Sequence, residues 1–168
     1  MDHRPSQPGP IHQYLANDHD RLGRLLDRAL GLADDIETDS YEAFRSGLLR
    51  HIGLEEKLLF PSVRRMGDAR ILEMVDRLHR EHAVFAAMLV PKPTGENLGQ
   101  MRDLLADHNA REESAGGLYE VAERIAGENS DALAAELRAG PMARVAPHFD
   151  TELAHENIRV LLRALEGP

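Results

Sequence analysis

The sequence contains no cysteine and no tryptophan. Without cysteine there is no disulfide, no iron–sulfur cluster, no thiolate zinc site, no c-type haem attachment and no cysteine nucleophile. Aromatic residues make up only 4 %, so the core is expected to be Leu, Ala, Val and Ile, which suits helices. Positive charge is in deficit: 20 Lys and Arg stand against 29 Asp and Glu, a net charge of −9. An acidic surface repels phosphate backbones, which makes nucleic acid a poor partner. No apolar run approaches the roughly 20 residues of a membrane span, so no membrane partner is expected. The opening MDHRPSQPGP has no apolar stretch behind a basic start and does not read as a secretory leader. The expected compartment is the cytoplasm. No GxGxxG before a helix, no P-loop and no GxSxG elbow is found, so neither a catalytic side chain nor an organic-cofactor residue is singled out.

What is present fits one folded domain. The chain has 168 residues, 42 % hydrophobic and 29 % charged, which argues against wholesale disorder. Residues 1–10 carry three prolines and a glycine and are expected to form a flexible tail. Apolar residues then recur near the 3.6 period, which predicts helices at about 11–37, 40–65, 69–89 and 97–127, a short helix near 130–139 and a last one near 142–165. Thr38-Asp39-Ser40 offers an N-cap, Pro61 a kink or stop, Pro91 and Pro93 a stop, and Gly116-Gly117 a kink or a close helix approach. No strand signal is found. Four long helices on short loops predict an all-α fold, an up-down-up-down four-helix bundle over 11–127, with residues 128–168 as a C-terminal helical extension packed outside it.

Nine histidines are many for this length, and four of them are placed rather than scattered. His19, His51, His82 and His108 each fall on the core-facing stripe of a different long helix. Glu55 follows His51 by four residues and Glu112 follows His108 by four, one turn apart on the same face. Bare carboxylates buried in an apolar stripe cost several kcal/mol each unless a counter-charge is supplied. No Lys or Arg shares these stripes at those levels. A metal cation resolves the conflict, because it binds carboxylates ionised and imidazoles neutral.

The chain also echoes itself. Asp18-His19 in the first helix parallels Glu81-His82 in the third, and His51-x-x-x-Glu55-Glu56 in the second parallels His108-x-x-x-Glu112-Glu113 in the fourth. Each half supplies one lone His and one HxxxE. Two such halves facing each other predict two metal ions bridged by the carboxylates.

In this order, DHDRL, HIGLEEKLLFP, LHREHAVF and HNAREE resemble the hemerythrin-like, or HHE cation-binding, proteins, over about residues 11–126. The resemblance implies a four-helix bundle holding a non-haem di-iron centre that meets O2 or its reduced products. It places His19, His51, Glu55, His82, His108 and Glu112 at ligand positions. Oxygen-carrying hemerythrins take two His four apart from the third helix. Here His79 and His82 are three apart, which sets His79 at the edge of the stripe as a further candidate ligand. The same proteins place the last carboxylate five residues after its His, which would be Glu113, but Glu112 matches the HxxxE of the wider family and the stripe better. Glu56 and Glu113 are expected to be solvated or to accept hydrogen bonds from the ligands rather than to bind metal.

Other candidates carry bland expectations. Tyr119, two turns beyond Glu112, is expected to pack in the core, with a pocket-lining role second. Lys57 and Arg111 read as surface charges. Glu152-x-x-His155, near His148, fits the Glu-x-x-His unit of ferritin-like di-iron bundles, but no second unit is found, so a solvent-facing role is expected. His3 and His12 are assigned nothing. Two function classes follow. The first is a metal-based protein that binds O2, peroxide or NO, or handles iron. The second is a di-iron oxidoreductase acting on peroxide or NO at the same site. No output domain is read in this length, which favours a stand-alone carrier, scavenger or stress protein. The ligand types suit two iron ions, with manganese or zinc as substitutes.

Overall fold

The computed structural model describes residues 7–31 and 35–167. Residues 1–6 of the expected tail, with His3, and residues 32–34 of the expected first helix lie outside that description. Eight α-helices are found among the described residues: α1 (Pro10–Leu30), α2 (Thr38–Leu54), α3 (Phe60–Arg64), α4 (Ala69–Met88), α5 (Gly95–Glu113), α6 (Leu118–Ala126), α7 (Ser130–Ala139) and α8 (Glu152–Glu166). A π-helical turn, Glu55–Leu59, joins α2 directly to α3. Among the described residues there is no strand. None of these helices is long and apolar enough to cross a membrane.

The bundle is built from α1, α2 with its continuation α3, α4, and α5. In it α1 packs on α2 and α5, while α4 packs on α3 and α5. Local chemistry sets most of the boundaries. Pro10 opens α1 at the position where its missing N–H costs nothing. Asp68 caps α4 by accepting from the N–H groups of Arg70 and Ile71, and Thr94 caps α5 by accepting from that of Asn97.

Four boundaries within residues 11–127 differ from the sequence reading. The first helix ends at Leu30 rather than 37, because Gly31 turns to a φ of 58°. The second helix is capped by the Glu37 carboxylate, which accepts from the N–H groups of Asp39 and Ser40, so Thr38–Ser40 form its first turn rather than its cap. Pro61 neither stops that helix nor leaves it regular. It has no N–H to continue the ladder, and the turn just before it is π-helical, with Phe60 N–H reaching back to Glu55 O. The expected fourth helix is two helices. α5 stops at Glu113, the chain turns through Gly116 at a φ of 75°, and α6 starts at Leu118.

The last helix starts ten residues later than its periodicity suggests. Residues 140–151 are in no helix, because Pro141 and Pro147 disfavour helix there. The carbonyls that a helix would use are taken by arginines: Arg50 donates to Gly140 O and Arg45 to Ala146 O. Beyond this strap α8 packs on α4, while α7 packs on α1.

The core is in two parts. One cluster includes Ile11, Leu15, Leu54, Leu59, Phe60, Leu78, Leu118 and Tyr119, and the other Leu22, Leu26, Leu48, Phe85 and Met101. On α1, His19 falls between Leu15 and Leu22. On α2, His51 falls between Leu48 and Leu54, and on α4, His82 between Leu78 and Phe85. A polar layer therefore cuts the bundle between two apolar halves.

Candidate metal centre

Six side chains make that layer. His19 comes from α1, His51 from α2, Glu55 from the π turn, His82 from α4, and His108 and Glu112 from α5. All six are buried, and both glutamates are 0 % exposed. Their ligating atoms form two groups of four. His19, His51, Glu55 and Glu112 make one, and Glu55, His82, His108 and Glu112 the other, with all four atoms of each group within 4.8 Å of one another. The two glutamates belong to both groups.

The imidazoles are aimed by a ring of outer carboxylates. His19 Nδ1 lies 2.6 Å from Glu113 Oε1, His51 Nδ1 2.9 Å from Asp18 Oδ2, His82 Nδ1 2.8 Å from Glu56 Oε1, and His108 Nδ1 2.7 Å from Glu81 Oε2. A carboxylate only accepts, so each Nδ1 carries a proton and donates, which leaves Nε2 facing the centre. The contacts run in one sense around the bundle. The carboxylate of α1 holds the His of α2, that of the π turn the His of α4, that of α4 the His of α5, and that of α5 the His of α1. Arginines brace the ring: Arg21 donates to Asp18, and Arg77 and Arg111 donate to Glu81.

The electrostatics without a cation are those of a salt-bridge layer. Burial disfavours a charged His51, but Glu55 and Asp18 outweigh it and lift the imidazole to about 9. His108 is lifted to about 9 by Glu112 and Glu81 against burial, and His82 to about 8 by Glu55 and Glu56. Burial and neighbouring Glu55 work against ionised Glu112, yet His108 and His19 hold its carboxyl at about 2. Asp18 is brought to about 2 by His51 and Arg21 despite its burial.

The donor set fits a cation. Glu55 Oε2, His82 Nε2 and Glu112 Oε1 are buried with no hydrogen-bond partner, and all three face the second group of four. His82 Nε2 stands 3.3 Å from Glu55 Oε2, and His108 Nε2 3.2 Å from Glu112 Oε1. Orphaned inward-facing atoms of this kind are costly unless an ion or water satisfies them. The set is all nitrogen and oxygen, which suits a divalent or trivalent transition metal.

The hemerythrin HHE cation-binding domain family matches residues 11–152 of the chain. The protein belongs to that family. Its domain binds metal cations, and here the match runs past the four bundle helices, through α7 and the strap to the start of α8. No curated protein and no solved structure matches the chain.

The structure brings together six of the seven residues that the sequence nominates as ligands and leaves one apart. His79 is a correction. Its side chain is 57 % exposed, and its Nδ1 meets Glu56 Oε1 at 2.9 Å, outside both groups. A spacing of three from His82 turns it past the edge of the buried face. Glu113 reaches His19 rather than the centre, which leaves Glu112 as the shared carboxylate of α5. Glu56 accepts from His82 and Glu113 from His19, as one of the two expectations for them had it. His148 pairs with Glu42 and stacks on Tyr41, His155 pairs with Asp150 and Glu152 with Arg159, and none of the three pairs with another.

Three roles escaped the sequence reading. Asp18 and Glu81 stand in the quoted motifs, but only the fold shows that they aim the His of the neighbouring helix. Their signal was the echo itself, an acid directly before each lone His. Arg111 is no idle surface charge, since it donates to Glu81 at 2.8 Å. Tyr119 does more than pack. It is 0 % exposed, and its hydroxyl lies 2.7 Å from Glu55 Oε1, 3.0 Å from His19 Nε2, 3.1 Å from Glu112 Oε2 and 3.3 Å from His51 Nε2. Burial, with Glu112 and Glu55 beside it, pushes this phenol well above its usual 10.

The break after α5 sets that placement. A Cβ on Gly117 would run into the carbonyls of Arg111, Glu112 and Ser114, so only glycine lets the chain fold back over the end of α5. α6 is then tied to α1, where the Glu123 carboxylate accepts from the N–H groups of Ile11 and His12. On the other side of the layer a cavity of about 420 Å³, walled in part by Leu26, Leu48 and Phe85, reaches His19, His51 and His108.

Proposed function

We propose that the protein holds two iron ions, one in each group of four, with Glu55 and Glu112 shared between them, and that it binds O2, peroxide or NO there. The single observation that carries this reading is the pair of overlapping ligand groups, with two buried glutamates common to both. Two dications placed there supply the counter-charge that fully buried Glu55 and Glu112 require.

The four outer carboxylates pull on the Nδ1 protons and make each Nε2 a more basic donor. The donor set suits iron, manganese and zinc alike, and iron is the ion that the family resemblance implies. Bound iron would supply a one-electron change and a free coordination position for a small ligand. The apolar wall of the cavity gives an uncharged diatomic a route to the histidines, while the layered core keeps bulk water from the carboxylates. The outer carboxylates hold each imidazole at one rotamer, so the ligand set keeps its shape when the ion changes charge.

Anaerobic loading with Fe(II), metal analysis, and then separate exposure to O2, peroxide and NO with the spectrum followed is the test. Two irons per chain and a reversible spectral change on O2 or NO is the expected result. Steady consumption of peroxide or NO would replace the binding reading with the di-iron oxidoreductase. Saturation at one ion would remove the bridged centre.

A further inference from the structure

The two groups of four differ in what lies against them. The group on His82 and His108 meets carbon: the Phe60 ring stacks on His82 at 5.3 Å between centroids, 3° from parallel, and Phe85 meets His108 edge-on. The group on His19 and His51 meets oxygen. All four of its donor atoms surround the Tyr119 hydroxyl at 2.7–3.3 Å.

With both imidazoles neutral, hydrogen bonding does not satisfy four such contacts. The phenol has one proton to donate. Glu55 Oε1 and Glu112 Oε2 only accept. His19 and His51 spend their Nδ1 protons on Glu113 and Asp18, so their neutral Nε2 atoms also accept. Four acceptors then converge on a group with a single proton. Extra protons on the imidazoles relieve this in the metal-free protein, and a cation among the five atoms relieves it in the loaded one. The distances agree with that second arrangement. In an octahedral shell with bonds of about 2.0–2.1 Å, neighbouring ligand atoms stand ~3 Å apart. Tyr119 Oη keeps about that separation from each of the four.

The internal echo points the same way. Seven residues after Glu112 comes Tyr119, and seven after Glu55 comes Ser62. Ser62 Oγ is turned back to Leu58 O on its own helix and reaches no ligand. The oxygen is thus supplied to one group and withheld from the other.

We propose that the Tyr119 oxygen is a fifth protein ligand of the ion held by His19, His51, Glu55 and Glu112, which makes the two metal positions chemically unlike. The proposal rests on the two-ion reading above. As the metal–oxygen bond forms, the phenol O–H bond breaks and its proton passes to solvent; no electron changes hands. The ion on His82 and His108 keeps four protein donors and is the one left open to a small ligand.

The experiment compares wild type with Tyr119→Phe, both loaded with Fe(II) and oxidised in air, by iron analysis, visible absorption and resonance Raman. Iron bound to phenolate gives a visible charge-transfer band with enhanced tyrosine ring vibrations, whereas iron bound only by imidazole and carboxylate gives no such ring vibrations. The expected result is two irons and that signature in wild type, with the signature abolished in Tyr119→Phe. Two irons in wild type with no phenolate signature, or with one that survives Tyr119→Phe, overturns the proposal and leaves the centre standing. Fewer than two irons in wild type overturns the two-ion reading and this proposal with it. Should Tyr119→Phe not fold, Tyr14→Phe and Tyr41→Phe replace the two other tyrosines of the chain. The signature must persist in both, and its loss in either overturns the assignment.

Discussion

Metal-free and metal-loaded protein should respond to pH in opposite directions. In the metal-free fold, burial opposes protonation of His51, His108 and His82, but the carboxylates around them prevail and hold their protons to about pH 9, 9 and 8. The same groups titrate near 6.5 in the unfolded chain. Between about pH 6.5 and 9 the folded state therefore binds more protons than the unfolded one. Its stability is fully present below 6.5 and is lost as pH rises through 9. A displacement from 6.5 to about 9 corresponds to ~3 kcal/mol for each of His51 and His108. At ~2–4 °C per kcal/mol for a chain of this length, the metal-free melting temperature should drop by about 10 °C or more across that window. On the acid side the sign reverses. Glu112, held at about 2, contributes stability that is present above the ordinary carboxyl range and is lost as pH falls toward 2. Metal-free protein should thus be most stable between roughly pH 4.5 and 6.5.

Metal needs the imidazoles neutral. At pH 7, removing the proton from a His of pKa about 9 costs ~3 kcal/mol, so apparent affinity climbs about tenfold per pH unit for each proton displaced. A ligand at a hundredfold excess over its Kd adds ~2.7 kcal/mol to the folded state. The gap between loaded and stripped melting temperatures should widen from pH 6 to 9 and close toward 5. Calorimetric melts of chelator-stripped and loaded protein at each pH, at fixed ionic strength, measure it. A metal titration near pH 7 in weak buffer should release about three protons from these histidines. A stripped protein whose melting temperature is flat or rises from pH 6.5 to 9, or loading that releases no protons, would refute the buried His–carboxylate layer.

Three substitution sets test the architecture further. Glu55→Ala and Glu112→Ala should each lose more metal than His79→Ala, which should keep the wild-type content by elemental analysis, because His79 stands outside both groups. Asp18→Ala and Glu81→Ala should weaken metal binding by about 10–100-fold in a competition with a chelator while every ligand remains, whereas Asp18→Asn and Glu81→Gln, which keep an acceptor oxygen, should lose less. Gly117→Ala should cost about 2 kcal/mol or more, a drop of ~4–8 °C in melting temperature, since its Cβ meets three carbonyls. Gly99→Ala, in the interior of α5 with nothing within 4 Å, should stabilise by ~0.5–1 kcal/mol; equal effects at the two glycines would refute the close turn after α5.

The fold class and the six-residue cluster were legible because both rest on one signal, the 4-3 spacing that puts apolar residues and ligands on a common stripe. His19, His51, His82 and His108 needed only that spacing. His79 was misplaced because a separation of three lies near the limit of one helical face, where a small rotation decides between the layer and solvent. The ends at Leu30, Thr38 and Glu113 turn on local glycines and a local carboxylate cap, whereas the late start of the last helix depends on side chains from a distant segment. Arg45 and Arg50 hold the carbonyls of 140–146, and nothing local to that segment announces them. Tyr119 was read as packing because its register was extrapolated along an unbroken helix. The break at Gly116-Gly117 was read as a kink or a close helix approach, but its consequence, a phenol turned into the layer, depends on α6 being tied back to α1 through Glu123.

The ring of carboxylates explains why the acids of each half are paired as they are. In the π turn after α2 and in α5 two glutamates are adjacent, and adjacent residues on a helix point roughly 100° apart. One of each pair can therefore enter the layer while the other reaches sideways to the next helix, as Glu55 and Glu56 do. In α1 and α4 the acid precedes the His for the same reason: Asp18 turns toward α2 while His19 enters the layer, and Glu81 turns toward α5 while His82 enters. Each bundle helix thus carries at least one inner ligand and one carboxylate that aims a neighbour's imidazole. A substitution that displaces any one of these helices disturbs two histidines rather than one, its own and the one it aims. Assembly of the centre is then cooperative across all four helices. Metal binding should accordingly be lost in steps larger than one ligand's share when any member of the ring is removed.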